Sequence, residues 1–402
     1  MIKKEMNRWE KIYYYICVLG VFLIATHVGG YTEKWIIIGA SIYILLGIIL
    51  NRGFNMDICF LALAGAMMIH GLIFAKVHQS EYWQIRFHFW AAVWPPLLMY
   101  LVCQQATWKK SYEQIERILL IICVGTFIYS ILNYSIYMRE GFVEGGRIWN
   151  EFWTHTSRYA TEFSYWGVFI VGIVGYGTYC MAEKKWLRGI GIYVAIIIEN
   201  IINIIVDNRM VLMVTAVSGA ASIGLYLWFN RKEKKKMLYF LLGVLGGAAL
   251  LGLVIACNIG GIRNTSYYHS FFIRDGGILK NVRFQMMWEA FLQIPSHWKG
   301  GGTMVAAGFT TMHNYWLQVA NDTGIFPFGL WTVFNIAAFV SAIKCIINSE
   351  IAIRVKYMVL PLLCSVFSYL MMEMGGHGLS EYIIFYVMIV ALIRQLEKNE
   401  SE

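Results

Sequence analysis

Residues 187–229 read LRGIGIYVAIIIENIINIIVDNRMVLMVTAVSGAASIGLYLWF, two long apolar runs joined by Asp207-Asn208-Arg209. A helix rises about 1.5 Å per residue, so runs of about 20 residues each cross the ~30 Å hydrocarbon core of a bilayer. The polar joint is long enough only for a turn at the membrane surface. This stretch is a helical hairpin across a membrane, and the rest of the chain follows the same pattern. Of 402 residues, 58% are hydrophobic and only 14% charged, where a soluble chain carries about a quarter charged. Mean hydropathy is +0.56. Too few polar side chains remain to cover a water-facing surface, which excludes a soluble enzyme, a disordered chain and a small secreted scaffold. The eight cysteines lie within or at the ends of apolar runs and read as small hydrophobes, not as a disulfide framework.

Outward from the hairpin, twelve spans are expected, roughly at 12–29, 35–50, 56–75, 88–103, 117–138, 163–182, 187–206, 210–229, 237–257, 314–343, 357–372 and 381–394. The expected fold is therefore an all-α, polytopic single membrane domain over 1–402. No small-residue cleavage site follows the first run, so it reads as a retained signal anchor. With the N-terminus inside, most of the 33 basic residues fall in alternate segments, including the cluster Arg231, Lys232, Lys234, Lys235 and Lys236. This obeys the positive-inside rule and places both termini in the cytoplasm. The net charge of +9 is then a topology signal and not a nucleic-acid footprint. Two outer segments exceed turn length, 139–162 and 258–312, and function is expected on that side.

Polar residues at membrane depth are costly and therefore candidates for function. Glu199, Asn203 and Asp207 recur at helical spacing and are expected on one inward face. Arg209 follows at the outer boundary, either snorkelling to headgroups or aimed at an anionic lipid group. Residues 278–294 form an amphipathic helix ended by Pro295, with Asn281, Gln285, Glu289 and Gln293 in one polar stripe. Arg283 falls instead among Leu279, Met286, Met287, Ala290 and Ile294. On such a face it needs a counter-charge, either an acidic side chain or a ligand phosphate. His313 stands where the chain re-enters the membrane, where a lone histidine ordinarily serves as a hydrogen-bonded anchor. No histidine, cysteine or carboxylate spacing suggests a metal site, and Gly300-Gly301-Gly302 lacks the lysine of a phosphate-cradling loop.

These segments, in this order, resemble the O-antigen ligase and O-antigen polymerase superfamily of bacterial envelope glycosyltransferases. Asp207-Asn208-Arg209 is similar to the family's Ser-Arg opening an outward-facing helix, with Asn208 in place of serine. Arg283, Trp288 and Ala290, followed by Pro295 and the glycines at 300–302, resemble its Arg-x-x-x-x-Trp-x-x-Ala…Pro-x-x-G-x-G stretch. His313-Asn314-x-x-Leu317 with Gly324 resembles its His-Asn-x-x-Leu…Gly segment. Asp322 stands where a glutamate is common and Pro327 where a later glycine occurs. The matches cover about 205–330.

The resemblance implies a GT-C-like fold and a metal-independent, inverting sugar transfer at the outer face of the bacterial cytoplasmic membrane, without a cofactor. The donor would be a glycan on a polyprenyl diphosphate, typically undecaprenyl, and the acceptor another glycan. Arg209 and Arg283 would hold the diphosphate and His313 would activate the acceptor hydroxyl, supported by Asn314, Asp207, Glu199 and Trp288. Flippase and chain-length-regulator proteins are potential partners besides the bilayer. Polymerisation of repeat units is the leading expectation. Ligase-like transfer to lipid A core, protein or cell wall is the alternative within the family, and a lipid-linked oligosaccharide flippase is the alternative outside it.

Overall fold

Backbone in hydrocarbon must satisfy its own N–H and C=O groups, so the apolar runs fold as α-helices. A computed structural model describes residues 8–30, 33–77, 93–107, 111–143, 147–264, 268–269, 282–373 and 379–398. Their helices are α1 (Arg8–Ala25), α2 (Glu33–Asn51), α3 (Ile58–Val77), α4 (Trp94–Thr107) and α5 (Tyr112–Glu140), then α6 (Glu162–Gly172), α7 (Val174–Ala182), α8 (Trp186–Ile205), α9 (Met210–Phe229) and α10 (Lys234–Ala256). A 3₁₀ turn at Ile259–Asn264 precedes α11 (Val282–Gln293), α12 (Tyr315–Thr323), α13 (Ile325–Ile347), α14 (Ile353–Leu370) and α15 (Leu379–Lys398). Between α5 and α6, β1 (Ile148–Asn150) and β2 (Ser157–Tyr159) form an antiparallel ribbon, with Trp149 opposite Arg158.

Among the described residues, eight stretches are long and apolar enough to cross a membrane: α2, α5, α6 with α7, α8, α9, α10, α13 and α14. The protein is an all-α polytopic membrane protein. Ile58–Phe74 within α3 is a shorter apolar helix, and α4 has 14 residues. Residues 88–92 of the expected fourth span lie outside the described residues, as do Leu279 and Asn281. The helix expected at 278–294 is described over Val282–Gln293. One expectation is corrected. The run 314–343 is two helices, α12 and α13, divided at Gly324, whose φ is 89°.

The centre of the fold is α15. Every residue from Tyr382 to Ile393 is buried, as suits a helix that is apolar on all sides. It packs on α4, α5, α13 and α14. At the periphery, α8 turns Ile190, Val194, Ile197, Ile201 and Ile204 outward at helical spacing, and no described residue of α10 is buried. These are surfaces for lipid.

Polar ties bind the helix ends at both extremities of the bundle. At one, Asp57 accepts from Tyr100 Oη at 3.1 Å, Gln104 Nε2 at 3.0 Å and Arg394 Nε at 3.2 Å. There too, Arg354 Nε donates to Glu116 at 2.7 Å. At the other, Arg158 bridges Glu162 at 3.1 Å and Glu381 at 3.0 Å, and Trp153 Nε1 donates to Thr26 O at 2.9 Å. In the ribbon's turn, burial alone would raise the Glu151 carboxyl. Hydrogen bonds from the Thr154 hydroxyl, the Trp153 and Thr154 N–H groups and the Tyr129 hydroxyl outweigh it and hold the group below its ordinary value.

The 295–313 loop closes onto the α12–α13 break through a backbone contact between Gly300 and Gly324, both at positive φ. Ile325 N donates to Trp298 O at 2.9 Å. A Cβ on Gly324 would fall on the Trp298 carbonyl oxygen, and one on Gly300 would lie 2.5 Å from Gly324 N. Gly308, at φ 83°, faces open space. Gly308→Ala should therefore cost only the left-handed strain, about 1–2 kcal/mol, while Gly324→Ala should lower the thermal unfolding temperature clearly further. Equal unfolding temperatures for the two variants would refute the closure.

Candidate functional site

The first candidate segment is a turn built from both sides. Helix α8 ends at Ile205, and Asp207 takes a φ of 54°, a left-handed conformation tolerated by aspartate. Arg147, from the 141–161 loop, donates to Val206 O at 2.7 Å and Asp207 O at 2.6 Å, covering carbonyls that the helix end leaves open. Asn208 holds the other side. Its Nδ2 donates to Ala160 O at 3.3 Å and Thr161 O at 3.4 Å, and its Oδ1 accepts from Met210 N at 3.1 Å. Half-buried Arg209 is thereby fixed at the start of α9.

The expected polar face of α8 holds for two of its three members. Glu199 and Asn203 are fully buried, with Ser130 Oγ at 3.0 Å and Asn203 Nδ2 at 2.9 Å from Glu199 Oε1. Asp207 does not continue that face, because the helix has already ended and its φ has changed sign.

The second segment is α11. Met286, Ala290 and Ile294 are buried in a small core with Met304, Ala306, Met312 and Leu317. The polar stripe grips the following loop. Glu289 accepts from Gln285 at 2.7 Å and from Ala307 N at 2.5 Å, and Gln293 Nε2 donates to Val305 O at 2.9 Å. Trp288 lies on the outer face, 63% exposed, and stacks on Phe291. Arg283 is half-buried, as its place beside the apolar residues requires. Its Nη1 donates to Met372 O at 3.3 Å and lies 3.7 Å from Glu373 Oε1. The acidic counter-charge is thus Glu373.

The third segment contains His313, at φ 40°, a backbone state that costs energy for any residue but glycine. Its neighbours determine it. Asn314 caps α12, accepting from Leu317 N at 3.0 Å, and its Nδ2 donates to Met371 O at 2.9 Å. Met312 N donates to Gln318 Oε1 at 2.9 Å, and Gln318 Nε2 donates to Asp322 at 2.7 Å. Asp322 therefore steadies the turn through Gln318.

Arg283 and Asn314 consequently meet on one feature, the turn Met371–Glu373 that ends α14. The Arg209 turn is linked to the same region. Thr161 O, which accepts from Asn208, also accepts from Tyr369 Oη at 3.5 Å. All three segments lie at one extremity of the bundle. Partial burial, reinforced by the Arg283 charge, holds the His313 imidazole below its ordinary pKa. Its Nδ1 is buried and accepts or donates no hydrogen bond among the described residues. Those residues contain no cluster of three or more His, Cys, Asp or Glu arranged for a metal.

Glu373 was not singled out by sequence, although an acidic residue closing the apolar run 357–372 was a usable signal. Arg147 and Asp322 act through backbone and amide partners remote in the chain or hidden in a helix, and spacing does not reveal such roles. Fold and site together define a polytopic membrane protein with a polar, arginine-bearing site at one end of its helices. No family model matches the chain, and no curated protein matches it.

The electrostatics carry a prediction. A neutral imidazole can accept a proton, and a lowered pKa keeps it neutral to more acidic pH than the ordinary ~6.5. Arg283→Gln removes the like charge, so the His313 midpoint should rise while burial still holds it below that value. Histidine NMR titration of the purified protein, assigned by the signal lost in His313→Gln, checks this. A midpoint unmoved or lowered by Arg283→Gln would contradict the arrangement.

Proposed function

We propose that the protein is a metal-independent, inverting membrane glycosyltransferase that polymerises polysaccharide repeat units at the outer face of the bacterial cytoplasmic membrane. The donor is a glycan on a polyprenyl diphosphate, and the acceptor is a sugar hydroxyl of a second lipid-linked unit. The observation that carries this reading is the meeting of Arg283 and Asn314 on the Met371–Glu373 turn, which brings the Arg283 charge to bear on the adjacent His313, with the Arg209 turn tied to it through Thr161. The loop charges support placing this end of the bundle outside.

The chemistry suits those residues. A glycosyl diphosphate carries its own leaving group, so the need is to neutralise growing negative charge on phosphate. Arginine meets it with a planar fork of charge-assisted hydrogen bonds. Glu373 orients the Arg283 guanidinium. The acceptor oxygen attacks the anomeric carbon from the face opposite the diphosphate, the carbon–oxygen bond to the diphosphate breaks, and the hydroxyl proton passes to His313. A histidine with a lowered pKa is mostly unprotonated at neutral pH and ready for that role. Asn314 positions His313. Asp207 and Glu199 support the fold around Arg209, with Glu199 tying α8 to α5 inside the bundle.

Purified protein supplied with a defined polyprenyl-diphosphate oligosaccharide should produce a ladder of longer glycans, and should do so in excess chelator. His313→Gln should lower turnover by about 10²–10⁴-fold, and Arg209→Lys or Arg283→Lys should lower it without loss of folded protein. One-step transfer to a different acceptor would make the protein a ligase. Passage of the donor across a liposome bilayer without bond change would make it a transporter and overturn the proposal.

A further inference from the structure

Away from the candidate site, α1 and α2 meet where Tyr13 faces the Tyr43–Gly47 stretch. There the Tyr13 and Tyr43 rings stack with centroids 4.0 Å apart. They also exchange hydrogen bonds, Tyr13 Oη to Tyr43 O at 3.1 Å and Tyr43 Oη to Tyr13 O at 3.0 Å. Beyond this clamp the helices part. They leave a crevice of about 570 Å³ lined by Gly20 and Ile24 of α1, Ile36 and Gly39 of α2, and Met99 and Val102 of α4, and reaching Gly29 and Gly30 of the α1–α2 turn. Both glycines face open space, with no atom within 4 Å of an added Cβ.

We infer that this crevice binds one acyl chain of a bilayer phospholipid, from the leaflet on the side of the α1–α2 turn. Three features select that occupant. The walls are mostly apolar, so water finds few of the polar partners it needs along them. From Cys17, beside the clamp, to its end at Ala25, α1 rises about 12 Å, comparable to one leaflet of a ~30 Å hydrocarbon core. The Tyr13–Tyr43 clamp closes the other end, and the volume suits a single acyl chain. A polyprenyl chain is several times longer than the crevice. A peptide segment would bring backbone N–H and C=O groups that this lining cannot satisfy. The acyl chain serves as a wedge that completes the packing between α1 and α2. The inference is independent of the proposed chemistry.

The test uses the full-length protein in liposomes containing phosphatidylglycerol with a diazirine midway along one acyl chain. After irradiation, adducts on Ile24 and Ile36 should exceed severalfold those on Ile197 and Ile201, which face lipid on α8. Excess unlabelled phosphatidylglycerol should remove the surplus. In Gly20→Leu/Gly39→Leu the new side chains fill the crevice, so the surplus should vanish while α8 labelling stays unchanged. Equal labelling of crevice and α8 in the wild-type protein would overturn the inference, whether or not the variant folds. So would a surplus that undecaprenyl phosphate displaces and phosphatidylglycerol does not.

Discussion

Two side chains donate to consecutive carbonyls at the end of α14, Asn314 to Met371 and Arg283 to Met372, and the candidate site depends on that pair of bonds. The carbonyls at a helix terminus have no partner within the helix. Here they are satisfied by the two segments that bear Arg283 and His313. Satisfying a terminus and assembling a site are thus one event. Glu373 adds the counter-charge that lets an arginine sit half-buried beside Met286 and Ala290. The same extremity is extended by Thr161, whose carbonyl serves both Asn208 and Tyr369. None of these links is near in sequence, and each ties segments that lie far apart along the chain.

The remainder of the fold supplies rigidity around that turn. Buried α15 gives α4, α5, α13 and α14 a common apolar partner. Ion pairs at both extremities fix the helix ends, Asp57 with Arg394 at one and Arg158 with Glu381 at the other. The 295–313 loop is packed by the apolar face of α11, gripped by its polar stripe and closed at Gly300 against Gly324. That leaves His313 little freedom, which explains how a non-glycine residue is kept at positive φ.

Much of this was legible in the chain because hydrocarbon imposes strong rules on composition. The hairpin at 187–229 folds as read, with α8 and α9 within a residue or so of the expected limits. The inward face of Glu199 and Asn203 followed from periodicity, and the apolar side of α11 from the same argument. The failures have physical causes. Hydropathy does not register a single glycine inside an apolar run, so the break at Gly324 was smoothed into one span. Helical spacing carried Asp207 onto a face that the chain had already left. The choice between a protein carboxylate and a ligand for Arg283 could not be made from local sequence, because Glu373 lies 90 residues away.

The most direct test is a cryo-electron-microscopy map of the protein in lipid with a non-transferable polyprenyl-diphosphate sugar bound. The account predicts diphosphate density against the Arg209 and Arg283 guanidinium groups, at the extremity bearing the Met371–Glu373 turn, with the sugar's anomeric carbon facing His313. Diphosphate density at the opposite extremity, or remote from both arginines, would contradict it.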